Sequence, residues 1–80
     1  TSVHVLVIPN QHYASLNDAV TDQTDLLAHA LRICASVAKD EGIDERGYRV
    51  VTNVGDEGGQ SVHHLHFHVL GGQELTGRMG

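Results

Sequence analysis

His64-Leu65-His66-Phe67-His68-Val69-Leu70 is the stretch whose reading decides the fold. Histidine alternates with an apolar residue, and Val62 lies just upstream. A period of two belongs to a half-buried strand and not to a helix. On a strand, successive side chains point to opposite faces, so His64, His66 and His68 share one face at intervals of roughly 6.6 Å. Leu65, Phe67 and Val69 take the other face, where a core is expected. Imidazole is the side chain whose charge changes nearest neutral pH, and three in register point to chemistry more than to solvated surface. Two chemistries use such a face. Imidazoles can clasp a metal such as zinc, copper, iron or nickel. Alternatively, one ring acts as a nucleophile while its neighbours orient it and handle charge.

The chain around this stretch reads as one small domain. It has 80 residues, of which 40% are hydrophobic, the composition of a globular unit and not of a disordered tail. With 5 basic against 10 acidic residues, the net charge of −5 argues against a generic nucleic-acid or anionic-membrane surface. A single cysteine cannot form an internal disulfide and fits a reducing, cytoplasmic compartment. No apolar run approaches the length of a membrane span.

Val3-His4-Val5-Leu6-Val7-Ile8, stopped by Pro9, reads as a strand that is apolar on both faces apart from His4, and hence as an interior one. His12 lies in the turn just beyond it. Leu16 and Asn17 are candidates for the staple and cap of a short first turn. A main helix is expected from about Asp22 to Glu41, with Leu27, Ala30, Leu31, Cys34, Val37 and Ala38 as its apolar stripe. Gly42 offers its C-terminal stop, Cys34 reads as a buried small residue, and His29 lies off the stripe. Tyr48 to Asn53 reads as a second strand. It is joined to the histidine strand by the eight-residue, glycine-rich loop 54–61 to form an antiparallel pair. The Gly58-Gly59 pair beside the histidine face lets backbone N–H groups approach an anion. The tail from Gly71 to Gly80 has no strong pattern. The fold class that follows is α+β: an antiparallel sheet packed on one main helix.

The stretch 64–70 resembles the histidine triad motif of the HIT family of nucleotide hydrolases and transferases, with three histidines alternating with apolar residues. The likeness extends through Val5-Leu6-Val7-Ile8-Pro9 with His12, Gly47-Tyr48-Arg49-Val50-Val51, Asn53, Gly58-Gly59-Gln60-Ser61-Val62 and Gly71-Gly72. Ser61 and the glycines after Leu70 resemble the Hint branch more than the dinucleoside polyphosphate hydrolases. The resemblance implies hydrolysis of a purine nucleoside 5′-phosphoramidate to AMP or GMP through a nucleotidyl-histidine, without metal or other cofactor. It implies His66 as nucleophile, with His64, His68, His12 and Ser61 completing the catalytic set. Asn53, Gly59, Gln60 and Ser61 would line the phosphate together with His66 and His68. A homodimer with joined sheets is also implied.

The sequence departs from the family pattern at its ends. It opens at Thr1, where family members carry roughly another third of the domain, including the acidic residue that holds the ribose hydroxyls. A partial domain over residues 1–80 is therefore expected, lacking the family's N-terminal strands and helix. It closes on Gly77-Arg78-Met79-Gly80 in place of a Trp-Pro-Pro-Gly segment. Three other functions compete with the phosphoramidate reading: a dinucleoside polyphosphate hydrolase, a nucleotide-binding scaffold without turnover, and a metal module built on His12, His64, His66 and His68.

Overall fold

The computed structural model describes residues 2–22 and 25–73. Strand β1 (Val3–Val7) leads through a turn to the short helix α1 (Leu16–Ala19). The main helix α2 (Leu26–Asp40), strand β2 (Tyr48–Val51) and strand β3 (Phe67–Gly71) follow. The three strands form one antiparallel sheet in the order β1-β3-β2, with Val5 and Val50 both opposite Val69. This is the expected α+β architecture. None of the described helices is long and apolar enough to cross a membrane.

Helix α2 covers one face of the sheet. Ala30, Cys34 and Ala38 recur at a spacing of four and are its buried residues. Their small side chains let the helix lie close on Leu65, Phe67 and Val69. Leu65 and Val69 are completely enclosed, and each such burial stabilises the fold by on the order of 2 kcal/mol. Gly42 follows the helix with φ +73°, and Ile43 N–H closes back on the Ala38 carbonyl at 3.0 Å.

Several expectations are corrected. Helix α2 begins at Leu26 and not near Asp22, because the chain before it folds separately. Ser15, and not Asn17, caps α1 through a reciprocal capping box with Asp18. Asp22 meanwhile accepts the Tyr13 hydroxyl proton. Leu31, assigned to the apolar stripe, is 53% exposed. It lies beside Val50, where a three-stranded sheet has run out of width.

The interior strand is β3, while β1 is an edge among the described residues. Only Val3, Val5 and Val7 pack on the core, and Leu6 and Ile8 on the other face stay exposed. Finally, the histidine stretch is strand only from Phe67. Pro9 has no N–H to extend the ladder beside it, and the Thr52 hydroxyl, 2.8 Å away, takes the His66 carbonyl in place of a backbone donor. The segment joining β2 to β3 is accordingly 52–66, longer than the expected eight-residue loop.

Candidate functional site

Residues 64–69 keep the alternation beyond the end of the ladder. His64, His66 and His68 are half-buried, whereas Leu65, Phe67 and Val69 are buried in the core. The pattern survives because Leu65 N–H donates to the Tyr13 carbonyl at 2.7 Å, a substitute for a strand partner.

Every triad ring is held through at least one nitrogen. His66 Nδ1 lies 2.7 Å from the His64 carbonyl oxygen. A carbonyl only accepts, so Nδ1 carries the proton, and the neutral ring has its lone pair on Nε2. His64 Nε2 donates in the same way to the Pro9 carbonyl at 3.1 Å. Its Nδ1 is then the acceptor for His12 Nδ1, 2.9 Å away across an edge-on pair of rings. His68 Nδ1 meets His4 Nε2 at 2.8 Å, and the His66 and His68 rings stand 5.1 Å apart at 69°. Burial lowers the pKa of His68 from its ordinary value, helped by the charges of His66 and then His4.

Thus His12, as expected, joins the triad face, 52 residues away from His64 in sequence. His4 also joins it, which sequence reasoning missed by treating it only as the polar break in an apolar strand. Its alternation with Val3 and Val5 was visible; the antiparallel register that sets it diagonally from His68 was not.

The glycine-rich segment is held through its own polar groups. Gln60 is buried: its Oε1 accepts Gly55 N–H at 3.0 Å, and its Nε2 donates to the carbonyls of Ala14 at 2.6 Å and Val62 at 3.0 Å. Its backbone N–H donates to the Gly55 carbonyl at 3.0 Å, and that of Gly59 donates to Asp56 at 3.1 Å. Gln60 therefore has no donor left for a phosphate, contrary to its expected binding role, and it shapes the loop instead. Asn53 Nδ2 likewise donates to the Gly58 carbonyl at 2.7 Å. A side chain at Gly58 would collide with the Val54 carbonyl oxygen, so this turn admits no Cβ. Ser61 is exposed and has no hydrogen-bond partner among the described residues. A cleft lined by Leu6, Ile8, Val62, His64 and His66 opens beside the rings.

No group of three or more His, Cys, Asp or Glu among the described residues has the geometry to hold a metal. The imidazoles that would ligate one are paired with each other or with carbonyls instead. Cys34 is buried beneath α2, and burial raises its pKa, so it is not a poised thiolate.

Comparison with known proteins agrees with this picture. The chain is 49% identical over 74 residues to an uncharacterized HIT-like protein of Synechococcus elongatus, covering 92% of the chain and 64% of that protein. It is 40% identical over 72 residues to the purine nucleoside phosphoramidase of Escherichia coli, covering 90% of the chain and 60% of the enzyme. The chain thus spans about three fifths of the length of these curated relatives. A crystal structure of a HIT family hydrolase from Legionella pneumophila superposes with a TM-score of 0.88 at 45% identity, covering 96% of the chain and 69% of that structure. The family profile of the HIT domain matches residues 1–75. With motif, fold and profile in agreement over nearly the whole chain, the protein belongs to the HIT family.

Proposed function

We propose that the protein hydrolyses purine nucleoside 5′-phosphoramidates through a nucleotidyl intermediate on His66. The observation that carries this reading is the bond from His66 Nδ1 to the His64 carbonyl, which leaves Nε2 as a neutral nucleophile. Nε2 attacks the α-phosphorus, the P–N bond breaks, and the amine departs with a proton. Phosphorylated on Nε2 and protonated on Nδ1, the ring becomes cationic. The His64 carbonyl dipole stabilises that charge as it develops, a gain made in the transition state. Water then attacks phosphorus and releases AMP or GMP with His66 restored.

His68 and Ser61 act as donors to the phosphoryl oxygens and the leaving amine, while His64 and His12 hold the face together. Asn53 and Gln60 shape the loop that brings Gly59 and Ser61 alongside. Support for the substrate class comes from the 40% identity to the phosphoramidase of Escherichia coli. A homodimer and a cytoplasmic setting belong to the same reading. The dimer is supported by the outer edge of β2, unpaired among the described residues. It is continuous with an apolar face of Leu16, Leu27, Leu31, Val50 and Phe67.

Rapid quench during turnover of adenosine phosphoramidate tests the proposal, with AMP expected on His66. Label on His64 or His68 would reassign the nucleophile, and turnover without label would mean direct attack by water. Tight nucleotide binding with no turnover would leave a scaffold protein.

A further inference from the structure

Thr52 follows directly on β2, and the reaction just described makes no use of it. Its hydroxyl donates to the carbonyl oxygen of His66 at 2.8 Å. That carbonyl belongs to the residue whose ring is the proposed nucleophile, and it stands just beyond the sheet ladder on both sides. Pairing of β3 with β1 stops at Phe67 opposite Val7, and pairing with β2 stops at His68 opposite Val51. The hydroxyl thus extends the attachment of the sheet as far as His66.

The residues flanking His66 do not depend on this bond. Leu65 and Phe67 are buried in the core, and Leu65 N–H is held separately by the Tyr13 carbonyl at 2.7 Å. Those anchors fix where the segment lies, but the peptide unit between them can still rock about its neighbouring backbone bonds. The His66 ring is only half-buried and borders an open cleft with Leu6, Ile8, Val62 and His64, so packing alone does not aim it. Two polar tethers supply the aim. The ring is held through Nδ1 to the His64 carbonyl at 2.7 Å, and the backbone through its own carbonyl to Thr52.

Thr52 itself borders the recess formed by Leu16, Leu27, Leu31, Val50 and Phe67, on the helix side of the sheet. It therefore reaches His66 through the main chain and not through the triad face where a substrate would bind. Branching at Cβ restricts its χ1, which gives the hydroxyl a fixed place to donate from.

We propose that Thr52 is a positioning residue whose hydroxyl fixes the His66 peptide unit and so keeps Nε2 of that ring aimed at phosphorus. The effect on rate rests on the reading of His66 as nucleophile; the effect on the ring does not. Displacing an attacking atom by about 1 Å can cost on the order of a hundredfold in rate, and a peptide freed at one end allows part of that. Both chemical steps make or break the bond between Nε2 and phosphorus, so the loss should fall on good and poor leaving groups alike.

Thr52→Val removes the hydroxyl and keeps the branched shape. It should lower kcat roughly three- to thirtyfold with KM little changed, whatever the leaving group. Thr52→Ser, which keeps the donor, should restore most of the rate. Proton–nitrogen spectra of the nitrogen-15-histidine protein read the ring without turnover. The His66 Nδ1–H signal should be single and sharp in the wild type, broadened or displaced in Thr52→Val, and recovered in Thr52→Ser. A Thr52→Val protein with wild-type kcat overturns the inference, and so does a loss of rate that Thr52→Ser fails to restore. If Thr52→Val does not fold, Thr52→Ala is read in the same way. Failure of the wild type to hydrolyse phosphoramidates would remove the proposed reaction, and the His66 signal would then decide: altered in Thr52→Val it supports the positioning role, unaltered it overturns it.

Discussion

The backbone of His64 orients the ring of His66: the carbonyl oxygen of the first lies 2.7 Å from Nδ1 of the second. A residue two positions back in a nearly extended segment thereby decides which nitrogen of the next histidine keeps its lone pair. His66→Ala should abolish turnover without unfolding the protein, since the ring is only half-buried. His66→Gly should leave space that added imidazole fills, restoring part of the rate. Full activity in His66→Ala would end the covalent reading.

Ser61 probes the leaving group. Its hydroxyl has no protein partner among the described residues, so it is available to a substrate. Ser61→Ala should cost about 1–3 kcal/mol in kcat/KM for phosphoramidates with poorly activated amines. Substrates with good leaving groups should be slowed less. Equal slowing of both would make Ser61 a turn residue only.

His68 links stability to pH. Its folded pKa is lowered, first by burial and then by the charges of His66 and His4. On acidification the unfolded chain takes up this proton before the folded one does. The contribution of His68 is therefore complete above the ordinary histidine value of 6.5 and is lost as pH falls through the lowered folded value. Denaturant titrations across this window should show stability falling on acidification. His68→Asn should flatten part of the slope, and an unchanged slope would remove His68 as its source.

Gln60 holds the loop before the triad by both ends of its amide. Gln60→Ala should lower the unfolding free energy by about 1–3 kcal/mol through the groups left unpaired in a buried setting. Gln60→Glu should be worse at neutral pH, because a carboxylate cannot donate to the Ala14 and Val62 carbonyls. With its folded pKa raised, the variant should regain stability as pH falls through that raised value, the gain being complete below the ordinary carboxyl range. Chemical denaturation at two pH values distinguishes these outcomes.

Assembly is testable at β2. Val50 and Leu31 are exposed, apolar and adjacent at its outer side. If two copies meet there, Val50→Lys should shift sedimentation from dimer towards monomer, because a charge would be buried in an apolar contact. A wild-type monomer that is stable at high concentration would show that no such contact is needed.

The period-two alternation of His64 to Leu70 was decisive on its own, because it depends only on neighbours along one extended segment. It separates three imidazoles from the core residues Leu65, Phe67 and Val69 wherever the segment lies. The spacing of Ala30, Cys34 and Ala38 was legible for the same reason: a helix repeats locally. Local patterning did not reveal which strand would be central. Val3 to Ile8 is richer in apolar residues than the histidine strand, yet β3 lies in the middle, because strand order follows from pairing between distant segments.

Tertiary structure alone decided the proton positions in the site. His12 meets His64, His4 meets His68, and the Pro9 carbonyl takes His64 Nε2, across separations of 52, 64 and 55 residues. A sequence shows that histidines are present, but a tautomer depends on what faces each nitrogen, and those partners come together only when β1 pairs with β3. Gln60 illustrates the same limit in reverse. Beside two glycines and a serine it reads as a phosphate ligand, until folding brings the Ala14 carbonyl, 46 residues earlier, within 2.6 Å and occupies its amide.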